Sequence, residues 1–313
     1  MQAFETGGLV EYRDTNSLMN PMGYEHEPWD RHLAPRLDDL RIDLSGGIRC
    51  SLPNVIASLR RYGFALLSGL SAGAERNAAA GALVELASHL GTVVPQSPRG
   101  EEVEDVRDFS DTEAKDDRGY RSRGELAPHS DPPTLIALHC LQPAKSGGES
   151  YIVNVRSIHD AMADAAPELL AELYKAFPCW RVEGQHGVHE AGPTSDRRAI
   201  FAKREDAVSC VHYRPFTEMA AEALDEALSE QQVAALDLFD ACALSPDLAL
   251  RFPLQAGETM VLHNRTVLHA RTDYEDWPEP DRRRHLLRVW IDAPGLLPVA
   301  PEHELGDLFA PAG

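Results

Sequence analysis

The triplet His129-Ser130-Asp131, within LAPHSDPPTL at 126–135, is the first place where residue types and spacing suggest chemistry. On an extended segment side chains alternate, so residues i and i+2 leave the same face and can grip one metal ion. Two prolines and a strand-like run follow at once, a pattern that an ordinary polar turn also shows. With 13 histidines and 50 acidic residues among 313, chance supplies about two His-x-acid triplets. The chain has this one, so the triplet says little until further ligands are found.

Those ligands come late in the chain. In ETMVLHNRTVLHARTDY at 258–274, His263 and His269 sit on or beside a strand pair. In DRRRHLLRVWID at 281–292, strand alternation puts His285, Leu287, Val289 and Ile291 on one face, a conventional core face with one histidine. Arg284, Leu286, Arg288 and Trp290 share the other. A buried cation needs a carboxylate, from the protein or from a ligand. The plainer reading is a rim strand whose arginines reach solvent or nearby acidic residues. Two histidines and one carboxylate form the facial triad of non-haem Fe(II) oxygenases, which leaves positions for cosubstrate and oxygen. A neighbouring arginine would then clamp the far carboxylate of a 2-oxoacid. The same ligands could hold a zinc ion and its water in a hydrolase.

Such a site needs a framework of strands. The long apolar runs are short and turn-bounded: RYGFALLSGL at 61–70, TLIALHCLQ, SYIVNV, RAIFAK, AVSCVHYRP, and the late segments already quoted. AERNAAAGALVELASHLG at 74–91 has helical spacing closed by Gly91, and two more helical patterns lie at about 156–175 and 217–244. Strict βα alternation, internal repeats and phosphate-loop glycine motifs are absent. The expected fold is mainly β with helices (α+β): a double-stranded β-helix, or jelly roll, decorated by helices. We expect one domain over 1–313, with residues 1–50 wrapping it and a helical insert at about 156–246. The charged, glycine-punctuated run at about 98–127 is expected to be an active-site lid or a plain solvated loop.

Composition bounds the partners. Thirty basic and 50 acidic residues give a net charge of −20, which repels phosphate backbones, so neither nucleic acid nor an anionic membrane is expected. No apolar run nears the ~18 residues of a membrane helix, and the N-terminus lacks the pattern of a secretory signal, so a cytoplasmic protein is expected. The odd number of cysteines, Cys50, Cys140, Cys179, Cys210 and Cys242, without a Cys-x-x-Cys pair, fits free thiols. The expected partner is a small-molecule substrate, and homo-oligomerisation is left open.

YGFALLSGL, HSD leading to LQPAKSGGES, and LHNRTVLHARTDYEDWPEPDRRRHLLRVWI occur in this order over about residues 60–292. In these the chain resembles the taurine/2-oxoglutarate dioxygenase (TauD/TfdA) family. The resemblance implies Fe(II) as metal, 2-oxoglutarate as cosubstrate and O2 as oxidant. It also implies His129, Asp131 and His269 as ligands, with His263 a second choice. Arg284 and Ser150 would bind the far carboxylate of 2-oxoglutarate, with Arg283 the fallback for the arginine, and Arg288 would anchor the substrate. The reaction implied is decarboxylation of 2-oxoglutarate to succinate and CO2, coupled to hydroxylation, desaturation or cyclisation of a substrate. Because Asp131 is retained, halogenation is not expected. In the taurine enzymes the residue after the aspartate offers a backbone N–H to the sulfonate. Here it is Pro132, which has none, so we expect a carboxylate-bearing or amino-acid-like substrate, in specialised metabolite biosynthesis. The rivals are the zinc hydrolase and a non-catalytic jelly-roll binding protein.

Other conspicuous residues take plainer readings. His139 and His212 are expected to be packed, hydrogen-bonded strand histidines. His186 and His189, in a glycine-rich loop, could line a pocket, and Arg121 and Arg123 could meet an anionic substrate but suit surface charge better.

Overall fold

The computed structural model describes residues 26–71, 75–96, 100–110, 121–181 and 192–304. A short 3-10 turn at Arg31–Arg36 leads into strand β1 (Arg41–Asp43), helix α1 (Ile48–Tyr62) and strand β2 (Phe64–Ser68). Gly63 makes the sharp exit from α1, with φ at 75°, where a side chain is strained. A Cβ there would also lie 2.7 Å from Thr266 Oγ1. The run at 61–70 is therefore not one strand: Arg61 and Tyr62 end a helix, and the sheet begins at Phe64. Helix α2 (Arg76–Leu90) closes at Gly91, as its spacing predicts. After β3 (Thr92–Val94), the stretch expected to be a loop contains β4 (Val103–Val106), which pairs with the last strand of the sheet.

The site-bearing strands follow: β5 (Leu126–His129), β6 (Leu135–Gln142), the short β7 (Ser146–Gly147) and β8 (Ser150–Asn154). Next come α3 (Val155–Ala165) and α4 (Pro167–Glu172), then two hairpins, β9 (Phe177–Arg181) with β10 (Gly192–Arg198) and β11 (Phe201–Arg204) with β12 (Ala207–Cys210). Helices α5 (Arg214–Ala223) and α6 (Glu230–Ala243) close this region, with Asn154 capping α3 and a Ser229–Gln232 capping box opening α6. The chain returns to sheet with β13 (Ala249–Phe252), β14 (Thr259–His263), β15 (Val267–Arg271), β16 (Tyr274–Glu275) and β17 (His285–Asp292).

The large sheet has the order β1-β2-β14-β6-β17-β3, with β4 also on β17, and the small sheet runs β13-β8-β15-β5. The β1–β2 pair is parallel and the other pairs in these two sheets are antiparallel. Phe64, Ile136, Leu262, Leu286 and Trp290 of the large sheet share one apolar cluster with Ile152, Leu250 and Val267 of the small sheet. The two sheets thus face each other in a jelly roll.

Their outer faces are covered too. Ala65, Leu135, Val261, Leu287 and Val289 pack against Val55 and Leu59 of α1 and Leu83 and Leu86 of α2. Tyr151, Val153 and Leu268 pack against Ile158 of α3 and Leu236 and Phe239 of α6. Each such Leu or Phe contributes about 1.5–3 kcal/mol relative to exposure. Burial on both faces explains why these strands read as apolar runs. The expected alternation in β17 holds, with Leu286 and Trp290 facing inward and Leu287, Val289 and Ile291 outward. The five cysteines are free. No helix among the described residues is long and apolar enough to cross a membrane.

Candidate metal centre

The register of the small sheet sets His269 of β15 directly opposite His129 of β5. Directly opposed residues share a face, and the two imidazole centroids lie 4.2 Å apart. Asp131 follows just past the strand, where the Ser130 amide is held by the His212 carbonyl at 2.9 Å. Its Oδ1 is 3.7 Å from His129 Nε2, and its Oδ2 is 4.0 Å from His269 Nε2. All three residues are buried, and one potential ligand atom from each falls within 4.8 Å of the others. His129 Nδ1 meets the Ala127 carbonyl at 2.9 Å. With Nδ1 as the donor, Nε2 keeps its lone pair for a metal.

Electrostatics prepares the same state. Burial lowers the pKa of His129, and it takes His269 down to about 3 with His129 beside it as the next cause. For Asp131 burial opposes ionisation, but Arg288 and then the two histidines outweigh it and hold the carboxyl below its usual value. Neutral imidazoles and an ionised carboxylate are the forms a divalent cation requires.

Asp131 is fixed from two sides. Arg288 Nη1 and Trp290 Nε1 donate to its Oδ2 at 3.2 and 3.3 Å. Arg288 Nε also donates to Gln96 Oε1 at 2.8 Å, and Gln96 Nε2 returns a bond to the Arg288 carbonyl at 2.8 Å. Behind the loop, Arg265 from the β14–β15 turn donates to the carbonyls of Asp131 at 3.1 Å, His303 at 3.1 Å, and Pro132. Asn264 Nδ2 holds the Pro133 carbonyl at 2.9 Å. The two prolines offer no amide, but their carbonyls are the points by which the ligand loop is tied down. Burial lowers Arg265 to about 9.

A second group of residues meets beside the cluster. Arg284 and Ser150 line one pocket with Gly148, Pro253, Leu254 and Leu286. Arg284 is 5% exposed, and its Nη1 has no hydrogen-bond partner. Burial lowers its pKa. A Cβ on Gly148 would stand 3.3 Å from Arg284 Nε, and the residue's φ of +68° is one that glycine tolerates. A buried guanidinium without a carboxylate, next to a hydroxyl, is a donor set that fits a ligand's carboxylate.

The remaining candidates separate cleanly. Arg283 turns away from this pocket, donating to the carbonyls of Trp277 at 3.3 Å and Pro278 at 3.4 Å. His263 is fully buried with Nδ1 3.1 Å from Thr266 Oγ1, and it is not part of the metal cluster. His139 is a packed, hydrogen-bonded histidine between Thr259 Oγ1 at 2.8 Å and Ser71 Oγ at 2.9 Å. His212 packs edge-on against Phe239, 4.5 Å between centroids. Arg121 lies over the Phe109 ring, and Arg123 bonds Asp108 at 2.5 Å. His186 and His189 lie outside the described residues. Sequence reasoning missed Gln96, Asn264, Arg265 and Arg271. Of these Asn264, Arg265 and Arg271, close to the late histidines, carried a local signal, and Gln96 carried none.

Residues 31–290 match the family described as taurine catabolism dioxygenase TauD, TfdA family. The chain is 34% identical over 209 residues to FR-33289 synthase of Streptomyces rubellomurinus, a match covering 65% of this chain and 61% of that protein. It thus spans less than two-thirds of that relative's length. Asparagine oxygenase in complex with Fe(II), 2S,3S-3-hydroxyasparagine and succinate shares the fold, with a TM-score of 0.62 and 20% identity, over 78% of this chain and 80% of that one. The non-heme iron oxygenase OrfP in complex with Fe and alpha-ketoglutaric acid superposes with a TM-score of 0.57 at 14% identity, over 84% of each chain.

Proposed function

The chain belongs to the TauD/TfdA family of Fe(II)- and 2-oxoglutarate-dependent dioxygenases, and from that premise we propose that it hydroxylates a small carboxylate-bearing or amino-acid-like substrate. Desaturation and cyclisation are variants of the same oxidation. The observation that carries the reading is the unpartnered, buried Nη1 of Arg284, in the same pocket as Ser150. A zinc hydrolase would need the three ligands but has no use for a dry cation with no counter-ion.

Fe(II), with 2-oxoglutarate and O2, supplies the oxidation, in which 2-oxoglutarate leaves as succinate and CO2. The chain's own residues do the positioning. His129, Asp131 and His269 would hold the metal. Arg284 and Ser150 would take the far carboxylate of the cosubstrate and so orient it in the pocket. Arg288 and Trp290 keep Asp131 ionised and aimed. The apolar wall of Leu254 and Leu286 limits water near the carboxylate.

On the substrate, Pro132 speaks against sulfonate capture by a backbone amide. The 2S,3S-3-hydroxyasparagine held by one structural neighbour is in keeping with an amino-acid-like substrate. Arg288 bonds the Asp131 carboxylate directly, and any substrate carboxylate it anchors must share it with Asp131 and Gln96.

The test is anaerobic addition of 2-oxoglutarate to the Fe(II)-loaded protein, followed by oxygen and a panel of amino and carboxylic acids. A visible charge-transfer band, succinate release, and a product heavier by one oxygen atom or lighter by two hydrogens are expected. No band and no succinate with any compound would sink the proposal.

A further inference from the structure

Strand β15 carries another inward-facing cation. Arg271 lies two residues beyond His269, so its side chain shares the His269 face. The β15–β8 register places it directly opposite Ser150, the hydroxyl that lines the Arg284 pocket. Arg271 is 5% exposed. One nitrogen, Nη2, donates to the Ser122 carbonyl at 3.0 Å and to the Gly124 carbonyl. The other two, Nε and Nη1, have no partner.

Tyr274 joins the two arginines. The Arg271 guanidinium lies 4.9 Å from its ring centroid, and that of Arg284 lies 5.1 Å from the same centroid. The Tyr274 hydroxyl is also buried, and it favours the charged form of Arg284. Neither arginine ion-pairs with Asp276, whose Oδ1 accepts the Arg284 amide at 2.7 Å and whose Oδ2 is itself unpartnered. Two buried like charges in a low dielectric repel, and an anion between them would turn that repulsion into attraction.

The carbonyls that Arg271 holds belong to the segment leading straight into the metal ligands, since β5 begins at Leu126 and ends at His129. That segment has a second attachment, the Tyr274 amide on the Arg123 carbonyl at 3.2 Å. Arg271 is therefore bonded to the approach to His129 on one side and stands opposite Ser150, which lines the cosubstrate pocket, on the other.

We propose that Arg271 is a binding and positioning residue that shares the far carboxylate of 2-oxoglutarate with Arg284 and, through Ser122 and Gly124, couples filling of that pocket to the order of residues 121–125. The proposal rests on the cosubstrate reading given above. By linkage, whatever loosens the segment weakens 2-oxoglutarate, and 2-oxoglutarate tightens the segment to the same degree.

The experiment titrates 2-oxoglutarate calorimetrically into nickel(II)-substituted protein, which binds without turning over, and follows amide hydrogen exchange across 121–129. In the wild-type protein 2-oxoglutarate is expected to slow exchange in 121–125. Arg271→Met is expected to bind about 10- to 100-fold more weakly, the loss of a charged hydrogen bond, and to lose that protection. Arg271→Lys keeps the charge without the fork, so it should recover part of the affinity and little of the protection. Tyr274→Phe, which removes only the hydroxyl, should weaken binding about 3- to 10-fold. If Arg271→Met does not fold, the lysine and Tyr274→Phe variants carry the same comparison. Binding and protection equal to wild type in the folded Arg271 variants overturn the role given to Arg271 alone. Failure of the wild-type protein to bind 2-oxoglutarate would take the cosubstrate reading with it.

Discussion

Buried positive charge is handled in opposite ways at the two ends of the metal cluster. Behind Asp131, Arg265 donates from Nε, Nη1 and Nη2 to backbone carbonyls, and Arg288 bonds Asp131 and Gln96. At the Ser150 end, Arg271 leaves Nε and Nη1, and Arg284 leaves Nη1, without acceptors in equally dry surroundings. A folded chain satisfies its buried donors almost without exception. The first pair holds the Asp131 loop together, and the second is the pair proposed above to take a ligand's carboxylate.

The largest expected effect separates the two ends by stability. Arg265→Met would strand the carbonyls of Asp131, Pro132 and His303, each at a cost of roughly 1–3 kcal/mol before relaxation. We expect a loss of about 3–5 kcal/mol in denaturant unfolding, with weaker metal binding because the Asp131 loop is freed. Arg284→Met removes an uncompensated charge, so its stability should stay within about 1 kcal/mol of wild type or rise. Its 2-oxoglutarate affinity should fall by about 100-fold or more. Equal stability losses in the two variants would erase the distinction between scaffold and site.

What was legible in the sequence divides along the same line. His129 and Asp131 could be paired from i, i+2 spacing, and the inward face of β17 could be read from period two, because both depend on local backbone geometry. The extent of the first strand was misjudged, since the same apolar run serves the end of α1 and the start of β2, and only the conformation of Gly63 divides them. The partners of Asp131 were invisible. Gln96 meets Arg288 across 192 residues, and Arg265 meets Asp131 across 134. No periodicity reports such a contact. Arg271 was missed because an arginine two residues beyond His269 looks like a strand end until the register puts Ser150 opposite it.

A smaller effect is expected at Arg288, where sequence and structure suggest different duties. Resemblance makes it a substrate anchor, whereas the geometry makes it a partner of Asp131. Arg288→Ala should weaken metal binding by about 10- to 100-fold, as losing an outer partner of a ligand does. Competition against a metallochromic chelator measures this. If metal affinity is unchanged and only the substrate KM rises, the anchor role is the correct one, and Asp131 is held adequately by Trp290.

The scaffold end should also carry an acid sensitivity that the pocket end lacks. His303, whose carbonyl holds Arg265, is buried with its pKa lowered to about 3, and His26 is lowered to about 4, burial being the largest cause in each. Both are neutral when folded, while the unfolded chain takes up protons below about pH 6.5. Stability is thus intact above that pH and declines as pH falls toward the folded values, by at most about 1.4 kcal/mol per pH unit per histidine. Unfolding curves from pH 7 to 4.5 should show this slope, and His303→Gln should flatten it. A slope unchanged in that variant would show that the turn at His303 is not held as a neutral imidazole.

The smallest effect comes from charge that is only half-buried and not short of partners. On the outside of β4, Asp105 takes Arg76 Nη2 at 2.8 Å and His285 Nε2 at 2.6 Å. Burial alone would raise its pKa, but the bonds from His285 and Arg76 prevail and lower it. A lowered carboxylate pKa adds stability above the unfolded value near 3.9 and loses it as pH falls below. Because solvent screens this network, Asp105→Asn should cost only about 0.5–1 kcal/mol at neutral pH. That cost should shrink in about 1 M salt and leave 2-oxoglutarate binding untouched. A cost matching that of Arg265→Met, insensitive to salt, would mean that burial is not what separates these arginines. The contrast between the two ends of the site would then need another cause.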